Sequence, residues 1–510
     1  MAAETKLQRP LICLCLTAKT LEEDAELANR YSHYIDLVEL RVDFLDEDER
    51  LNVREFPAMI DLPCILTIRR VSDGGQYQEG EASRTMLFAR ALAFAETDAR
   101  KNFAYVDFEE DFHVPSLQDA ALAFGTRIIR SFHDMKNPVK NLKERLNAMR
   151  TTGFEIPKIA CMPHSLADVT EFFKEARQLS GTEQILCAMG PMGFPTRILA
   201  GTMHSYLTYT TAKELLDKMI VGNGLGIGHV DPKTLNDIYH FRQLEKETVL
   251  FGITGYPLKV TSSPKMHNKK FEMNGMNAVF IPFPAQTAQD AFTFAKTLNV
   301  KGFSVTIPHK EDIMALLDEV DADVQKIGAC NTVVNDHGVW KGYNTDAPGF
   351  SKALLEFTGL KNLKGKKVAI IGAGGASRAI AFAIHQLGAK ACVFNRTISR
   401  ARTVAERFGF AYATLGAESL EKLHEYSEII VQTTSKGMGS DEKPNQDNDP
   451  LYFYDFDGTE LLYDIVYVPE VTPVMAHAQE AGCKVCNGLT MLQYQGDEQF
   501  ALYKGIYEHA

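Results

Sequence analysis

Basic charge is in short supply in this sequence: 54 Lys and Arg stand against 66 Asp and Glu, for a formal net charge of −12. That balance argues against a general nucleic-acid binder, whose affinity rests on a cationic face that neutralises phosphates. No stretch approaches the ~18 unbroken apolar residues that a membrane-crossing helix needs. The opening residues, MAAETKLQRP, hold no apolar signal core; residues 2–9 are expected to form a short tail, and the expected location is cytoplasmic. Cysteine is not patterned for disulfides either. The nine are an odd number, and Cys13, Cys15, Cys64, Cys161, Cys187 and Cys392 sit inside apolar runs, as small core side chains do in a reducing compartment. Cys483 and Cys486 form a lone CxxC without further ligands, so no metal is expected. No repeat of fixed period is visible, which excludes a solenoid.

What is present is an ordinary globular α/β composition, 45% hydrophobic and 24% charged, on a chain of 510 residues that is too long for one core. Between 11 and 210 the runs LICLCLT, LVELRVDF, CILTIRR, FAYVDFEE, TRIIRSFHD, IPKIACMP and QILCAMG alternate with amphipathic helical stretches. A poorer eighth run lies near MHSYLTYT. Count and length predict an N-terminal (β/α)8 TIM barrel over 1–240. A second α/β pattern starts at VLFGITGYP, with strands near 249–254, 278–283 and 302–307. KVAIIGAGG (367–375) opens a doubly wound Rossmann candidate. The expected boundaries are 249–346 for a substrate domain completed by 485–510, and 347–484 for the nucleotide domain. The polar stretch 440–458 is expected to be a surface loop.

Charged residues interrupt the ends of the barrel runs: Glu39 and Arg41, Arg69, Asp107 and Glu109, His133, Lys158, and Arg197 after the seventh. Any one of them alone reads as well as a packing ion pair or a satisfied core histidine. So many at successive strand ends, where a packed barrel prefers branched aliphatics, suggest a site for a small polyhydroxylated or anionic ligand. Lys158 lies mid-strand. Its pKa is expected to fall through desolvation and nearby arginines, giving a neutral amine able to attack a ketone. His133, from the preceding strand, is placed to move protons, and Arg197 and Arg69 to hold a carboxylate.

EL-R-VD (39–43), SFHD (131–134), PKIACMP (157–163) and the Thr-Arg of MGFPTR (192–197) resemble the motif set of type I 3-dehydroquinate dehydratase. The resemblance covers most of 10–230. It implies dehydration through a Schiff base on Lys158 with His133 as its partner, Glu109 or Asp107 orienting the histidine, and Glu39, Arg41, Arg69 and Arg197 binding substrate. Two departures stand out. Asp73-Gly74-Gly75 replaces the usual Glu-Gly-Gly, and LGIGHV (225–230) replaces the family's Ser-x-Pro-Gly-Gln closing loop, with His229 in place of the glutamine.

In the second half, Gly372, Ala373, Gly374, Gly375 and Ala376 form a Gly-rich turn between a strand and a helix, as a pyrophosphate site requires. The next strand ends on Asn395, Arg396 and Thr397, with Arg400 beyond and no acid, which favours the 2′-phosphate of NADP over the bare ribose of NAD. Lys310 and Asp346 are the natural pair for moving the hydroxyl proton. GYPLKVTSSPKMHN (255–268), GFSVTIPHK (302–310), GACNT (328–332), GYNTD (342–346), TTSKGM (433–438), DIVYVPEVTP (464–473) and NGLTMLQYQ (487–495) resemble shikimate dehydrogenase. That resemblance implies Lys310 and Asp346 as catalytic, and Thr261, Ser263, Thr306, Asn331, Tyr467 and Gln495 as shikimate-binding. Thr434, Ser435 and Gly437 would join the cofactor contacts. Val260 stands where His is common, Thr261 where the carboxylate pair has Ser, and Ser304 where Asn is frequent.

The product of the first reaction, 3-dehydroshikimate, is the substrate of the second. The expected function is therefore a two-step shikimate-pathway enzyme with NADP as cofactor. Its expected partners are small molecules only, with neither nucleic acid nor membrane, and a monomer would suffice. Two alternatives stay open at this point: a second half that prefers quinate, and a quinate-sensing regulator, against which the retained Lys158, His133, Lys310 and Asp346 argue.

Overall fold

The computed structural model describes residues 9–92, 98–179, 181–216, 228–258 and 261–509. Most of the expected tail, most of the closing loop 221–232, and Val260 lie outside the described residues. Contacts divide the chain into two compact units, Met1–Asn299 and Val300–Ala510. No described helix is long and apolar enough to cross a membrane.

The first unit is built on eight strands: β1 Leu11–Leu16, β2 Leu37–Arg41, β3 Cys64–Thr67, β4 Tyr105–Glu109, β5 Arg127–Asp134, β6 Glu155–Cys161, β7 Ile185–Ala188 and β8 Leu207–Thr211. They pair in the order β7-β6-β5-β4-β3-β2-β1-β8, and a parallel bridge between Gln184 and Ser205 joins the two edges. The poor eighth run is the strand that closes the barrel. Parallel strands bury both faces, which is why the runs read as apolar rather than alternating. Helices follow with local start signals; Ser165 and Asp168 form a reciprocal capping box ahead of helix Leu166–Arg177.

The barrel interior is layered. Cys13, Leu37, Ile65, Tyr105, Ile129, Ile156, Ile185 and Leu207, one from each strand, pack together with Tyr209 as an apolar floor. Strand side chains alternate, so the residue two further on in each strand faces inward one layer higher. Those residues are Cys15, Glu39, Thr67, Asp107, Ser131, Lys158, Cys187 and Tyr209. A greasy layer thus carries a polar one, and the charged groups cannot lie elsewhere without reversing a whole strand.

Residues 249–299 continue the first unit. β9 Val249–Thr254 and β10 Ala278–Pro282 pair in parallel. Helix Ala288–Leu298 packs on helix Leu166–Arg177, where the rings of Phe294 and Phe173 meet edge-on at 6.0 Å and Arg177 Nη1 donates to Thr297 O at 2.8 Å.

In the second unit, β11 Gly302–Val305, β13 Thr332–Asp336 and β14 Val339–Tyr343 pair antiparallel, and β12 Glu319–Val320 joins β14 in parallel. A separate parallel sheet follows, with β15 Lys367–Ile371, β16 Lys390–Asn395, β17 Ala411–Thr414, β18 Ile429–Gln432, β19 Leu461–Asp464 and β20 Lys484–Cys486. Its order, β17-β16-β15-β18-β19-β20, reverses direction at β15, the switch point where doubly wound sheets bind ligands. The C-terminal helix Leu489–Glu508 packs on helix Asp346–Thr358 through Gly349, where a Cβ would come within 2.6 Å of the Gln495 nitrogen.

The stretch 440–458 has no helix or strand and is exposed at many positions, but it is anchored: Leu451, Tyr454 and Phe456 are buried in the core around β15 and β19. Asp449 is buried as well, accepting from Leu451 N at 2.7 Å and bonded to His477 Nδ1 at 2.7 Å. The many polar residues of the stretch hid these apolar anchors.

Candidate active sites

The polar layer of the barrel forms one bonded cluster. Lys158 Nζ donates to Asp107 Oδ2 at 2.9 Å, stands 3.5 Å from Glu39 Oε1, and lies 4.5 Å from the centre of the Tyr209 ring. Thr67 donates to Glu39 Oε1 at 2.9 Å, and Cys15 Sγ to Glu39 Oε2 at 3.3 Å. Ser131, opposite Lys158 in the β5–β6 register, donates to Asp107 Oδ1 at 2.5 Å.

Arg69 contacts Asp107 at 2.8 Å and Glu109 at 2.9 Å, and also donates to Ser131. Arg84 donates to the other oxygen of Glu109 at 2.7 Å. Arg41 forks onto Asp43, which also accepts from the Arg69 and Gln76 backbone amides. Arg41 and Arg69 thus both pair with protein carboxylates, Arg41 through Nε and Nη2. Arg197 differs: it is buried, and its Nε has no partner among the described residues.

Lys158 departs from the sequence expectation. Burial alone would lower its pKa, but the Asp107 and Glu39 carboxylates outweigh burial and hold it above its usual value. The same attractions work against burial to pull Glu39 and Asp107 down. Without ligand this lysine is an ammonium. The error lay in counting the arginines and not the carboxylates between them and the lysine.

His133 follows the opposite course. Burial and the Arg69 and Lys158 cations push it well below its usual value against the pull of Asp107. No hydrogen bond joins it to Asp107 or Glu109 among the described residues, and its Nδ1 is unpartnered. A neutral imidazole with a free nitrogen is a base in waiting. If the expected dehydration takes place here, its kcat/KM should stay flat as pH falls through about 6.5, the ordinary histidine value, because His133 protonates only at lower pH. A half-drop centred there in a kcat/KM profile would contradict this.

His229 bonds Thr211 Oγ1 through Nδ1 at 2.8 Å, and burial with the nearby Arg197 charge lowers it to about 3. It therefore stays neutral beside Arg197, whose Nε has no partner among the described residues.

In the second unit Lys310 Nζ donates to Asp346 Oδ2 at 2.5 Å. Asn331 Nδ2 donates to Asp346 Oδ1 at 2.8 Å and to Thr345 Oγ1 at 2.9 Å, and Thr345 Oγ1 stands 3.5 Å from Gln495 Oε1. Thr306 and Tyr467 are half-buried. Thr261 and Ser263 belong to the first unit, where Thr261 Oγ1 donates to Ser263 Oγ and accepts from the Ser263 amide, both at 3.2 Å.

The nucleotide turn fits its expected group. Gly372 has φ +111, and a Cβ there would meet Thr433 Oγ1 at 2.6 Å. Helix Gly375–Gln386 starts with no side-chain cap, and a Cβ on Gly374 would meet nothing within 4 Å. Its amides are free to receive phosphate. A Cβ on Gly375 would lie 4.0 Å from Lys310 Cδ, so the turn and the lysine adjoin. Asn395, Arg396, Thr397 and Arg400 lie at the end of β16 and the start of helix Ile398–Phe408. Both arginines are exposed, and neither makes an ion pair among the described residues. Thr434 is tied to Gln432 through its amide at 2.5 Å, and Ser435 follows it in the loop after β18. Gly437, at φ +83, fits between Pro473 and Asn448.

Sequence reasoning missed Ser131, Thr67 and Tyr209 in the barrel, and Thr345, Thr332 and Gln499 in the second unit. Strand alternation from Lys158 and Asp107 would have found the first three.

The family model for type I 3-dehydroquinase matches residues 12–246. Those for the shikimate dehydrogenase substrate binding domain and for shikimate / quinate 5-dehydrogenase match 253–333 and 354–443. The bifunctional 3-dehydroquinate dehydratase/shikimate dehydrogenase, chloroplastic, of Arabidopsis thaliana is 30% identical over an alignment of 522 positions that takes in 97% of this chain and 82% of that protein. The chain belongs to this bifunctional family. As a bifunctional 3-dehydroquinate dehydratase/shikimate dehydrogenase it is a lyase and an oxidoreductase of the shikimate pathway, and NADP is its cofactor. Its second half is also similar to the NADP-dependent shikimate dehydrogenases of Caldanaerobacter subterraneus, 38% identical over 270 residues, and Pyrococcus furiosus, 40% over 262. They cover 52% and 51% of this chain, and the matches take in 94% and 91% of those proteins.

Proposed function

We propose that dehydration runs through an imine on Lys158 and that the reductase consumes NADPH. The observation that carries the first reading is the isolated polar layer: one lysine, two carboxylates and a neutral histidine above a sealed apolar floor. Arg197, whose Nε has no partner among the described residues, is suited to take the substrate carboxylate. Lys158 gives a proton to His133, and the amine attacks the ketone carbon. His133 returns that proton to the carbinolamine hydroxyl, which leaves as water, so the iminium forms with His133 neutral again. His133 removes the adjacent proton as electrons flow into the iminium, and the β-hydroxyl departs with that proton as water. Hydrolysis of the imine returns the amine. Glu39 and Arg41 complete the ring contacts, while Arg69 holds Asp107 in place.

NADPH, when bound, supplies the hydride for the second reaction. Lys310 delivers the proton to the ketone oxygen, and Asp346 orients Lys310. Thr306, Asn331, Tyr467 and Gln495 are assigned to the substrate hydroxyls. Thr261 and Ser263 are assigned to its carboxylate on the strength of the sequence resemblance. Gly372, Ala373, Gly374, Gly375 and Ala376 hold the pyrophosphate, helped by Thr434, Ser435 and Gly437, and Asn395, Arg396, Thr397 and Arg400 surround the 2′-phosphate. We assign 1–240 to the dehydratase, 249–346 with 485–510 to the substrate domain and 347–484 to the cofactor domain. We assign the chain to the cytoplasm, in keeping with nine free cysteines, and a monomer would suffice for both reactions.

Borohydride added with 3-dehydroquinate should fix ligand mass on the peptide that carries Lys158. An unmodified peptide from enzyme that is turning over would remove the imine. Arg396→Ala with Arg400→Ala should raise KM for NADPH about tenfold or more and leave KM for NADH nearly unchanged. Equal losses with both cofactors would argue against the phosphate pocket.

A further inference from the structure

Buried side chains in the second unit form a hydrogen-bonded chain that ends on Asp346 and reaches well past any group assigned to substrate. Gln495, Gln499 and Tyr503 recur at every fourth residue of helix Leu489–Glu508, so they share one face, and all three are buried. Tyr503 reaches the sheet because residue 302 is glycine; a Cβ there would lie 2.9 Å from its ring.

The direction of the chain follows from its end. The Asp346 carboxylate accepts only, so the Asn331 group facing it at 2.8 Å is the amide nitrogen. Asn331 Oδ1 then accepts from Thr332 Oγ1 at 2.8 Å, as it does from the Thr345 amide at 2.8 Å. With its proton spent, Thr332 Oγ1 accepts from Gln499 Nε2 at 3.0 Å. Gln499 Oε1 accepts from Ser304 Oγ at 3.0 Å, and Ser304 in turn accepts from the Tyr503 hydroxyl at 3.0 Å. Every donor points toward the carboxylate. In a buried series of this kind each bond polarises the next, and no member can turn round without setting two acceptors against each other.

We propose that Gln499, backed by Ser304 and Tyr503, is a positioning residue for the reductase: through Thr332 and Asn331 it fixes the Asp346 carboxylate so that its other oxygen stays on Lys310. This rests on the assignment of Lys310 and Asp346 to proton transfer. Ser304 is the link that joins Gln499 to Tyr503. The device belongs to this combination of residues rather than to the catalytic pair alone.

The test uses the full chain and follows NADPH-linked reduction of 3-dehydroshikimate, with dehydratase activity and NADPH binding of each sample as folding controls. Gln499→Met keeps length and bulk but removes the donor; it should lower kcat about tenfold and move KM by no more than about twofold. Thr332→Val should do the same, Thr332→Ser should restore near-normal kcat, and the double Thr332→Val/Gln499→Met should be little worse than Thr332→Val alone. Unchanged kcat in Gln499→Met and Thr332→Val, a loss confined to KM, or additive losses would each overturn the proposal. Asp346→Asn separates the two layers of the claim. If it keeps full kcat, the proton-transfer assignment itself fails. If it is inactive while Gln499→Met and Thr332→Val are normal, only the positioning role fails.

Discussion

Lys158→Ala is expected to abolish dehydration of 3-dehydroquinate, by about a thousandfold or more, and to leave reduction of 3-dehydroshikimate by NADPH within about twofold of the parent. The size of the effect follows from the absence of a substitute. Among the described residues Lys158 is the only lysine in the polar layer, and Arg41 and Arg69 are bound to carboxylates and cannot act as nucleophiles. Removing a buried cation leaves Glu39 and Asp107 undercompensated, a penalty of about 3–5 kcal/mol where no other partner remains. Arg69 still pairs with Asp107, so the barrel should fold with reduced stability. Initial rates of each half-reaction on the same purified sample check this. Dehydration persisting within tenfold of the parent would exclude Lys158 as the nucleophile.

Lys310→Ala should produce the converse phenotype. Reduction of 3-dehydroshikimate falls by about a hundredfold or more through kcat, dehydration is unchanged, and NADPH still binds. The lysine is held from two sides: its ammonium meets Asp346 at 2.5 Å, and its carbonyl accepts from Cys330 N at 2.7 Å. A group held so firmly beside Gly375 is expected to act in the chemistry rather than in surface electrostatics. Single-turnover reduction together with a cofactor-binding titration separates the two readings. Loss of NADPH affinity as the sole defect would make Lys310 a cofactor ligand instead.

Much of the first site was legible because its residues break a rule. A lysine inside IPKIACMP, or acids inside YVDFE, cannot be explained by a packed parallel strand, so each stands out. Ser131, Thr67 and Tyr209 break no rule in a strand and passed unnoticed, although they sit in the same layer. The charge state of Lys158 was misread for a related reason. Sequence shows which charges exist but not that Asp107 lies at 2.9 Å with Arg69 behind it.

In the loop 440–458 three buried anchors, Leu451, Tyr454 and Phe456, went unseen because polar neighbours outnumber them. Gln499 looked like an ordinary helix position. Only its spacing from Gln495 and Tyr503 hinted at one continuous polar face. The doubly wound half was easier to read, because a glycine-rich turn between strand and helix is a local signal that needs no distant partner.

One assay reaches the central claim, that a single chain carries two consecutive reactions at separate lysines. Purified protein is mixed with 3-dehydroquinate and NADPH, and NADPH consumption is followed for the parent, for Lys158→Ala, for Lys310→Ala and for an equal mixture of the two variants. The parent and the mixture should consume NADPH and form shikimate, and neither variant alone should do so. Steady consumption by Lys158→Ala alone, or none by the mixture of two folded variants, would contradict the account.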